Sequence, residues 1–130
     1  MITEKNIEAL LKRKGYKYAR FGELAVWLVI LADGPNEHRM TVDLQEKWVS
    51  IAIVPFIEQP TKKKLPAVCV SLAQCNYEMY LAKFVLNEDN NIGLLAEIPI
   101  ESNIIVCEQA VSQVAQYAGE FYDRLKKSAA

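Results

Sequence analysis

The feature that most limits what this chain can fold into is the order of its helical and extended apolar patterns. A short amphipathic helix is followed by three apolar strands, a second helix, two more strands and a long closing helix. Strands joined by short loops pair antiparallel, and each apolar face needs another element to cover it. The order α-β-β-β-α-β-β-α therefore predicts an α+β fold with a five-stranded antiparallel sheet packed with helices. We expect residues 1–130 to form a single domain, since chains of this length bury one core.

Apolar residues at helical spacing define the three helices. Thr3 is a good N-cap for the first helix, and Gly15 suits its end. Pro66 suits the first turn of the second helix. The last helix follows Ser102 or Asn103. Its apolar stripe recurs at intervals of three and four residues: Cys107, Val111, Val114, Ala118, Phe121 and Leu125.

Five segments rich in β-branched and aromatic residues are predicted to be strands. They are short, and turn residues such as Asp33–Asn36 and Asn87–Asn91 separate them. In chain order the predicted strands are Leu24–Ala32, Arg39–Leu44, Trp48–Val54, Leu81–Leu86 and Ile92–Ile100.

Alternation of side chains gives the predicted sheet two different faces. One face, which includes Val26, Leu28 and Ile30, is expected to pack against the helices. The second face is also rich in apolar residues, whereas a solvated sheet face is usually more polar. Exposed apolar patches mark interfaces, and Trp is enriched there, so we expect a dimer or partner surface. The alternative is that a helix covers this second face. Its apolar members are Trp27, Val29, Leu31, Trp48, Val54, Val85 and Leu95.

The chain lacks the residue patterns of catalysis, cofactor binding and metal binding. His38 is the only histidine, and because it follows a turn we expect it in a solvated loop. Cys69 and Cys75 point to different sides of one helix, so they cannot chelate a metal together. With Cys107 they are expected to act as small buried apolar groups. We therefore expect no enzymatic activity, no cofactor and no metal.

One basic stretch points to a different class of function. Five basic residues alternate with two tyrosines, a pattern that suits phosphate binding and base stacking. The formal net charge of −1 and the lack of basic support beyond Lys62–Lys64 favour a solvated helix end instead. Nucleic-acid binding stays as the alternative, and its residues would be Lys12, Arg13, Lys14, Tyr16, Lys17, Tyr18 and Arg20.

The sequence also indicates where such a protein would act. The N-terminus has Glu4 and Lys5 where a secretory signal would be apolar. The longest apolar run, Leu24 to Ala32, is far shorter than the ~20 residues that a membrane-spanning helix needs. With an odd number of cysteines, a disulfide framework is not expected. We expect a cytoplasmic protein with reduced thiols.

The second half of the chain resembles a known family. It contains a helix from Pro66 to Met79, a strand through Tyr80–Leu86, an acidic turn, a strand through Ile92–Ile100 and a long amphipathic helix. Together with the first half, it resembles the YbjN-like family of small bacterial proteins and the type III secretion chaperones. The resemblance implies a non-enzymatic protein-binding module, commonly a homodimer, that acts as chaperone, adaptor or regulator. Secretion chaperones are often acidic, and the near-neutral charge of this chain favours a regulatory relative.

Overall fold

Three helices and six strands make up the computed structural model, which describes all residues from 1 to 130. The predicted α+β class and antiparallel sheet are confirmed, and the three helices lie where the apolar periodicity indicated. In chain order the elements are α1 (Glu4–Arg13), β1 (Lys17–Arg20), β2 (Val26–Asp33), β3 (Asn36–Leu44), β4 (Trp48–Ile57), α2 (Leu65–Tyr77), β5 (Lys83–Leu86), β6 (Ile92–Pro99) and α3 (Ile104–Ala129).

All six strands belong to one sheet with the order β1-β2-β3-β4-β6-β5. The first four follow one another as an antiparallel meander. β6 then lies between β4 and β5 and is antiparallel to both. The β4–β6 ladder is therefore the only strand pairing between the two halves of the chain.

The sheet has one strand more than the five predicted, and the additional strand is β1. Its four residues are mostly exposed and polar, so they carry no alternating apolar signal. Lys17 lies opposite Ile30 of β2, and Arg20 lies opposite Trp27. Pairing with the apolar edge of β2, rather than the pattern of the segment itself, makes it a strand.

Capping side chains define the starts of α1 and α3. The Thr3 hydroxyl accepts a hydrogen bond from the Asn6 N–H at 3.2 Å, and the Asn6 side chain accepts one from the Thr3 N–H at 2.9 Å. This reciprocal pair satisfies two backbone donors of the first turn. Of the two predicted caps of α3, Asn103 performs the role by accepting from the N–H of Ile105 at 2.9 Å.

All three helices pack against the same face of the sheet. α3 lies against β4 and β6, while α2 contacts α3 and β5. α1 joins this layer because Glu8 accepts a hydrogen bond from Nε1 of Trp27 and Arg13 binds Glu108 of α3. The buried apolar side chains form one core cluster between the helices and this face. No helix covers the opposite face, and of the residues predicted for the second face the helices cover only those of β2.

The side of β2 that enters the core is opposite to the predicted one. Val26, Leu28 and Ile30, expected in the core, are only partly buried on the uncovered face. The register places Trp27 opposite Val42, which is fully buried under the helices. Since both alternating sets of β2 are apolar, the strand's own pattern does not distinguish them. Three residues predicted for the partner surface are therefore buried core residues: Trp27, Val29 and Leu31.

Candidate functional site

The face of the sheet that carries no helix, called the open face below, is the candidate functional site. Across its middle, Leu28, Thr41, Ala52 and Leu95 lie side by side on β2, β3, β4 and β6. None of these four residues is charged, and the row ends on β5 at Lys83, which lies opposite Leu95. The apolar side chains of the open face are Val26, Leu28, Ile30, Trp48, Ala52, Val54, Val85 and Leu95.

Four of the seven predicted surface residues lie on this face. Trp48 is 46% exposed and Val54 is 52% exposed, while Val85 and Leu95 are half-buried. Trp48 and Val54 lie six residues apart on β4, so exposed apolar side chains occur near both ends of the open face, which is more than a solvated sheet face usually carries. The sequence prediction missed Leu28 and Ile30, because only the register with β3 shows that they share this face.

Charged residues of opposite sign border the apolar row. Asp43 of β3 and Glu97 of β6 share one cross-strand row next to it. Lys17 of β1 and Arg39 of β3 share the row on its other side. None of these four forms an intramolecular ion pair. The open face thus has an acidic and a basic border, which favours a partner with the complementary arrangement.

A second exposed apolar area lies on α2 and the turn after it. Val70 and Tyr77 face outward from the helix, and Tyr77 is 93% exposed. Tyr80 and Leu81 in the following turn are exposed as well. A helix at the surface of a monomer usually turns polar residues outward, so this side of α2 is also a candidate contact surface.

Most basic side chains of the stretch from Lys12 to Arg20 are held by carboxylates of this chain. Arg13 binds Glu108 at 2.8 Å, and Lys14 lies 3.8 Å from the same carboxylate. Arg20 binds Glu4 at 2.7 Å, and its guanidinium lies over the ring of Trp27. These pairs join α1 to α3 and to the sheet.

The tyrosines of that stretch pack inward rather than presenting their rings to a ligand. Tyr16 and Tyr18 are half-buried against the core, and burial raises the pKa of Tyr16. Lys12 and Lys17 are the basic residues of the stretch with no carboxylate partner. The structure therefore does not bring the seven predicted nucleic-acid residues together as one free basic and aromatic surface.

His38 is buried, and the prediction of a solvated loop is wrong. It lies on β3 with its side chain 4% exposed, and its Nε2 is 3.1 Å from Oδ2 of Asp33. The ring stacks on Phe56 at 5.5 Å and meets Tyr122 edge-on at 4.9 Å. Strand alternation places position 38 on the core side, and the Asp33 carboxylate supplies the partner that a buried polar ring needs.

Two of the three cysteines lie in surroundings that disfavour the thiolate. Cys75 and Cys107 are buried as predicted, and Cys69 is half-buried. Desolvation, with a smaller contribution from Glu108, raises the pKa of Cys107 to about 11. Desolvation also raises the pKa of Cys75. Both thiols are thus kept protonated at neutral pH, the form that is neither nucleophile nor metal ligand.

No cluster of three or more His, Cys, Asp or Glu side chains is arranged to hold a metal ion. None of the helices combines the length and the apolar character needed to cross a membrane.

Comparison of the sequence with known proteins gives no match. No protein-family model matches the chain, and no curated protein is similar to it in sequence. Any likeness to known proteins therefore lies in the three-dimensional structure.

Solved structures do share the fold over nearly the whole chain. YbjN from E. coli is similar with a TM-score of 0.63 and 10% identity, over 95% of this chain and 93% of YbjN. The Yersinia pestis type III secretion chaperone SycH, solved in complex with a stable fragment of YscM2, gives a TM-score of 0.56 and 11% identity, over 94% of this chain and 98% of that one. A chain of the heterodimeric ExoU–SpcU complex from the type III secretion system of Pseudomonas aeruginosa gives 0.56 and 13%, over 95% of this chain and 97% of that one. The predicted resemblance to YbjN and the type III secretion chaperones is confirmed at the level of the fold.

Proposed function

We propose that this protein is a non-enzymatic protein-binding module, and that its open face binds a segment of another protein. The observation that carries the proposal is the uncovered apolar row of β2, β3, β4 and β6, with Val54 exposed next to it and Trp48 exposed farther along β4, beyond the acidic border. Burying this row against a partner removes apolar surface from water, while the charged borders orient the partner.

The structural comparisons support a protein as the partner. SycH was solved with a fragment of another protein, and the ExoU–SpcU complex is a heterodimer. At 10% to 13% identity these likenesses concern the fold, so they favour a chaperone, adaptor or regulator role without identifying the partner. We further propose that the protein acts in the cytoplasm of a bacterium.

The edges of the sheet differ in their ability to accept an added strand. At β5, the Asn76 side chain donates to the carbonyl of Phe84 at 3.1 Å and accepts from its N–H at 2.7 Å. The outer backbone groups at the middle of β5 are therefore already occupied. Of the two outer edges of the sheet, the β1 edge is therefore the one left to accept an added strand.

We also propose that two copies of the chain pair through the exposed side of α2. Val70 and Tyr77 of α2, with Tyr80 in the turn after it, lie on the helix layer, opposite the open face. Two copies joined there would each leave the open face free for a partner. Light scattering should show a dimer that Tyr77→Glu converts to a folded monomer, and a wild-type monomer would contradict this part of the proposal.

Site-specific cross-linking in cells of the source organism tests the partner surface. A photo-reactive amino acid is placed at Trp48 on the open face or, as the matched control, at the exposed Gln116 of α3. We expect one discrete cross-linked protein from position 48, and none from position 116. The product should disappear when Leu95→Glu is added to the position 48 variant. Equal products from both positions, or none from position 48, would contradict the proposal.

A further inference from the structure

β3 and β4 separate before either strand ends. Their ladder runs from Leu44–Val49 to Thr41–Ala52 and stops there. β3 continues to Asn36 beside β2, and β4 continues to Ile57 beside β6. Pro55 has no backbone N–H, so this part of β4 could not complete a ladder with β3. The sheet is therefore split at this end.

Backbone groups of β3 border this split. Gln45, at the end of β3, donates to the carbonyl of Trp48 on the β4 side at 2.8 Å. The backbone N–H and C=O groups of successive strand residues point to opposite sides. Those of the odd-numbered residues of β3 therefore point toward β4, as the N–H of Gln45 does. Arg39 and Glu37 are odd-numbered and lie beyond the last paired residue. Their backbone groups are in position to pair with an extended segment that enters the split.

The split forms a cleft of about 290 Å³ that reaches from the open face to the helix layer. Val54 lies at its open-face side, and Tyr122 of α3 closes its helix side. His38 and Phe56 form part of its wall. This volume is at the lower end of the ~300–1,000 Å³ range of ligand sites, which suits one ring or one side chain.

His38 lines the cleft and has one ring nitrogen without a hydrogen-bond partner. A carboxylate only accepts hydrogen bonds, so Nε2 of His38 donates to Asp33. In the neutral ring, Nδ1 then carries a lone pair, and no group of the protein donates to it. Every side-chain nitrogen or oxygen shielded from solvent in this protein has a hydrogen-bond partner. Because Nδ1 has no such partner, it is accessible to solvent. The cleft is the cavity that His38 lines.

We propose that this cleft receives a tyrosine side chain of the partner segment, whose phenolic hydroxyl donates a hydrogen bond to Nδ1 of His38. This inference rests on the proposed function, because Val54 belongs to both the cleft and the open face. A phenol matches the site in two ways. Its hydroxyl supplies the donor that Nδ1 lacks, and its ring would lie beside the half-buried ring of Tyr122, which also lines the cleft. Asp33 is a positioning residue, since its bond to Nε2 selects the tautomer.

His38 provides a direct test because it is the only histidine. Its ring nitrogens give one set of signals in ¹⁵N NMR of the whole protein, which first establishes the tautomer. N-acetyl-tyrosinamide and N-acetyl-phenylalaninamide are then titrated as probes that differ by one hydroxyl. We expect a proton on Nε2 alone, saturable movement of the Nδ1 signal with the tyrosine probe, and about 2- to 12-fold weaker binding of the phenylalanine probe. A proton resident on Nδ1, or equal binding of the two probes, would overturn the proposal.

A variant separates the role of Nδ1 from that of the ring. His38→Phe keeps an aromatic ring between Phe56 and Tyr122 and removes Nδ1. Binding is followed through the amide signals of Glu37 and Arg39. We expect the variant to bind the two probes equally, and a retained preference for tyrosine would contradict the proposal. If this variant does not fold, the wild-type titration decides alone.

The two proposals can fail separately. Cross-linking from Trp48 does not depend on the cleft, and the probe titration does not require the partner. A cross-linked partner together with equal binding of the probes would reject the tyrosine site alone. Selective binding of the tyrosine probe with no cross-linked partner would reject the open face as the partner surface.

Discussion

Gly93 of β6 lies directly beneath Val54 of β4, so that a Cβ at position 93 would be only 2.6 Å from Cγ2 of Val54. Val85 of β5 would lie 3.4 Å from the same Cβ. The side chains of Val54 and Val85 therefore fill the space that a side chain at position 93 would need. This arrangement places Val54 at the meeting point of the open face and the cleft, and it makes the packing there sensitive to one added methyl group.

Gly93→Ala is expected to destabilise the protein by about 1–3 kcal/mol, because the new methyl group forces the stiff Val54 side chain away. Urea unfolding followed by circular dichroism measures the change. Gly119→Ala is the matched control, since its Cβ meets only Asp33 at an ordinary 3.6 Å. As a helical glycine it should gain up to about 1 kcal/mol on conversion to alanine. Equal effects of the two substitutions would show that Gly93 is not sterically required.

The two tryptophans are expected to differ sharply in their contribution to stability. Trp27 is fully buried, so Trp27→Ala should lower the free energy of unfolding by about 3–5 kcal/mol. Trp48 is 46% exposed, so Trp48→Ala should change it by only about 0.5 kcal/mol. Both are measured by urea unfolding with circular dichroism, since each variant lacks one fluorophore. A comparably large loss from Trp48→Ala would mean that this residue has a structural role.

Asn76 of α2 is expected to stabilise β5 by acting in place of a neighbouring strand. Asn76→Ala leaves the N–H and C=O of Phe84 without their present partner and should cost about 1–3 kcal/mol. Hydrogen exchange at the Phe84 amide should accelerate more than the global loss of stability explains. Gln74→Ala, an exposed substitution on the same helix, should change neither quantity appreciably. Unchanged exchange at Phe84 in the Asn76 variant would contradict the assignment.

The buried Cys107 thiol predicts a loss of stability at alkaline pH. Its pKa is raised from 9.0 to about 11 in the folded protein, so the folded state holds the proton more tightly than the unfolded state. Stability from this group is present below pH 9 and is lost as the pH rises towards 11, by an amount on the order of 3 kcal/mol. Cys107→Ala removes this component. The difference in free energy of unfolding between wild type and variant should be constant up to pH 9. Above pH 9 the wild type should lose stability relative to the variant. A difference that is independent of pH would contradict the burial of the thiol.

The sequence predicted the helices and five strands because their apolar residues follow clear periods. β1 was missed because Lys17–Arg20 becomes a strand only by pairing with β2. The face of β2 was misassigned since both of its alternating sets are apolar, and the deciding information is the register of Trp27 against Val42. That register was not visible in the sequence.

The candidate site was predictable only in part for the same reason. The sequence placed Trp48, Val54, Val85 and Leu95 together on one face, and the structure does so as well. Burial of His38 depends on Asp33, five residues earlier across a hairpin. From sequence alone, a polar residue next to a turn is expected to be exposed. Its burial can be predicted only when the side chain that hydrogen-bonds to it is known.

The strand order also determines how this chain can be divided. α1 and the first four strands come from residues 1–57, and the later elements begin with α2 at Leu65. β6 is the only strand of the second part that pairs with the first. A cut within residues 58–64 would therefore yield two fragments, each with an incomplete core. To restore the fold, β4 must pair with β6, and α3 must pack against both strands. We expect neither fragment to fold without the other, since each alone lacks its half of the β4–β6 ladder.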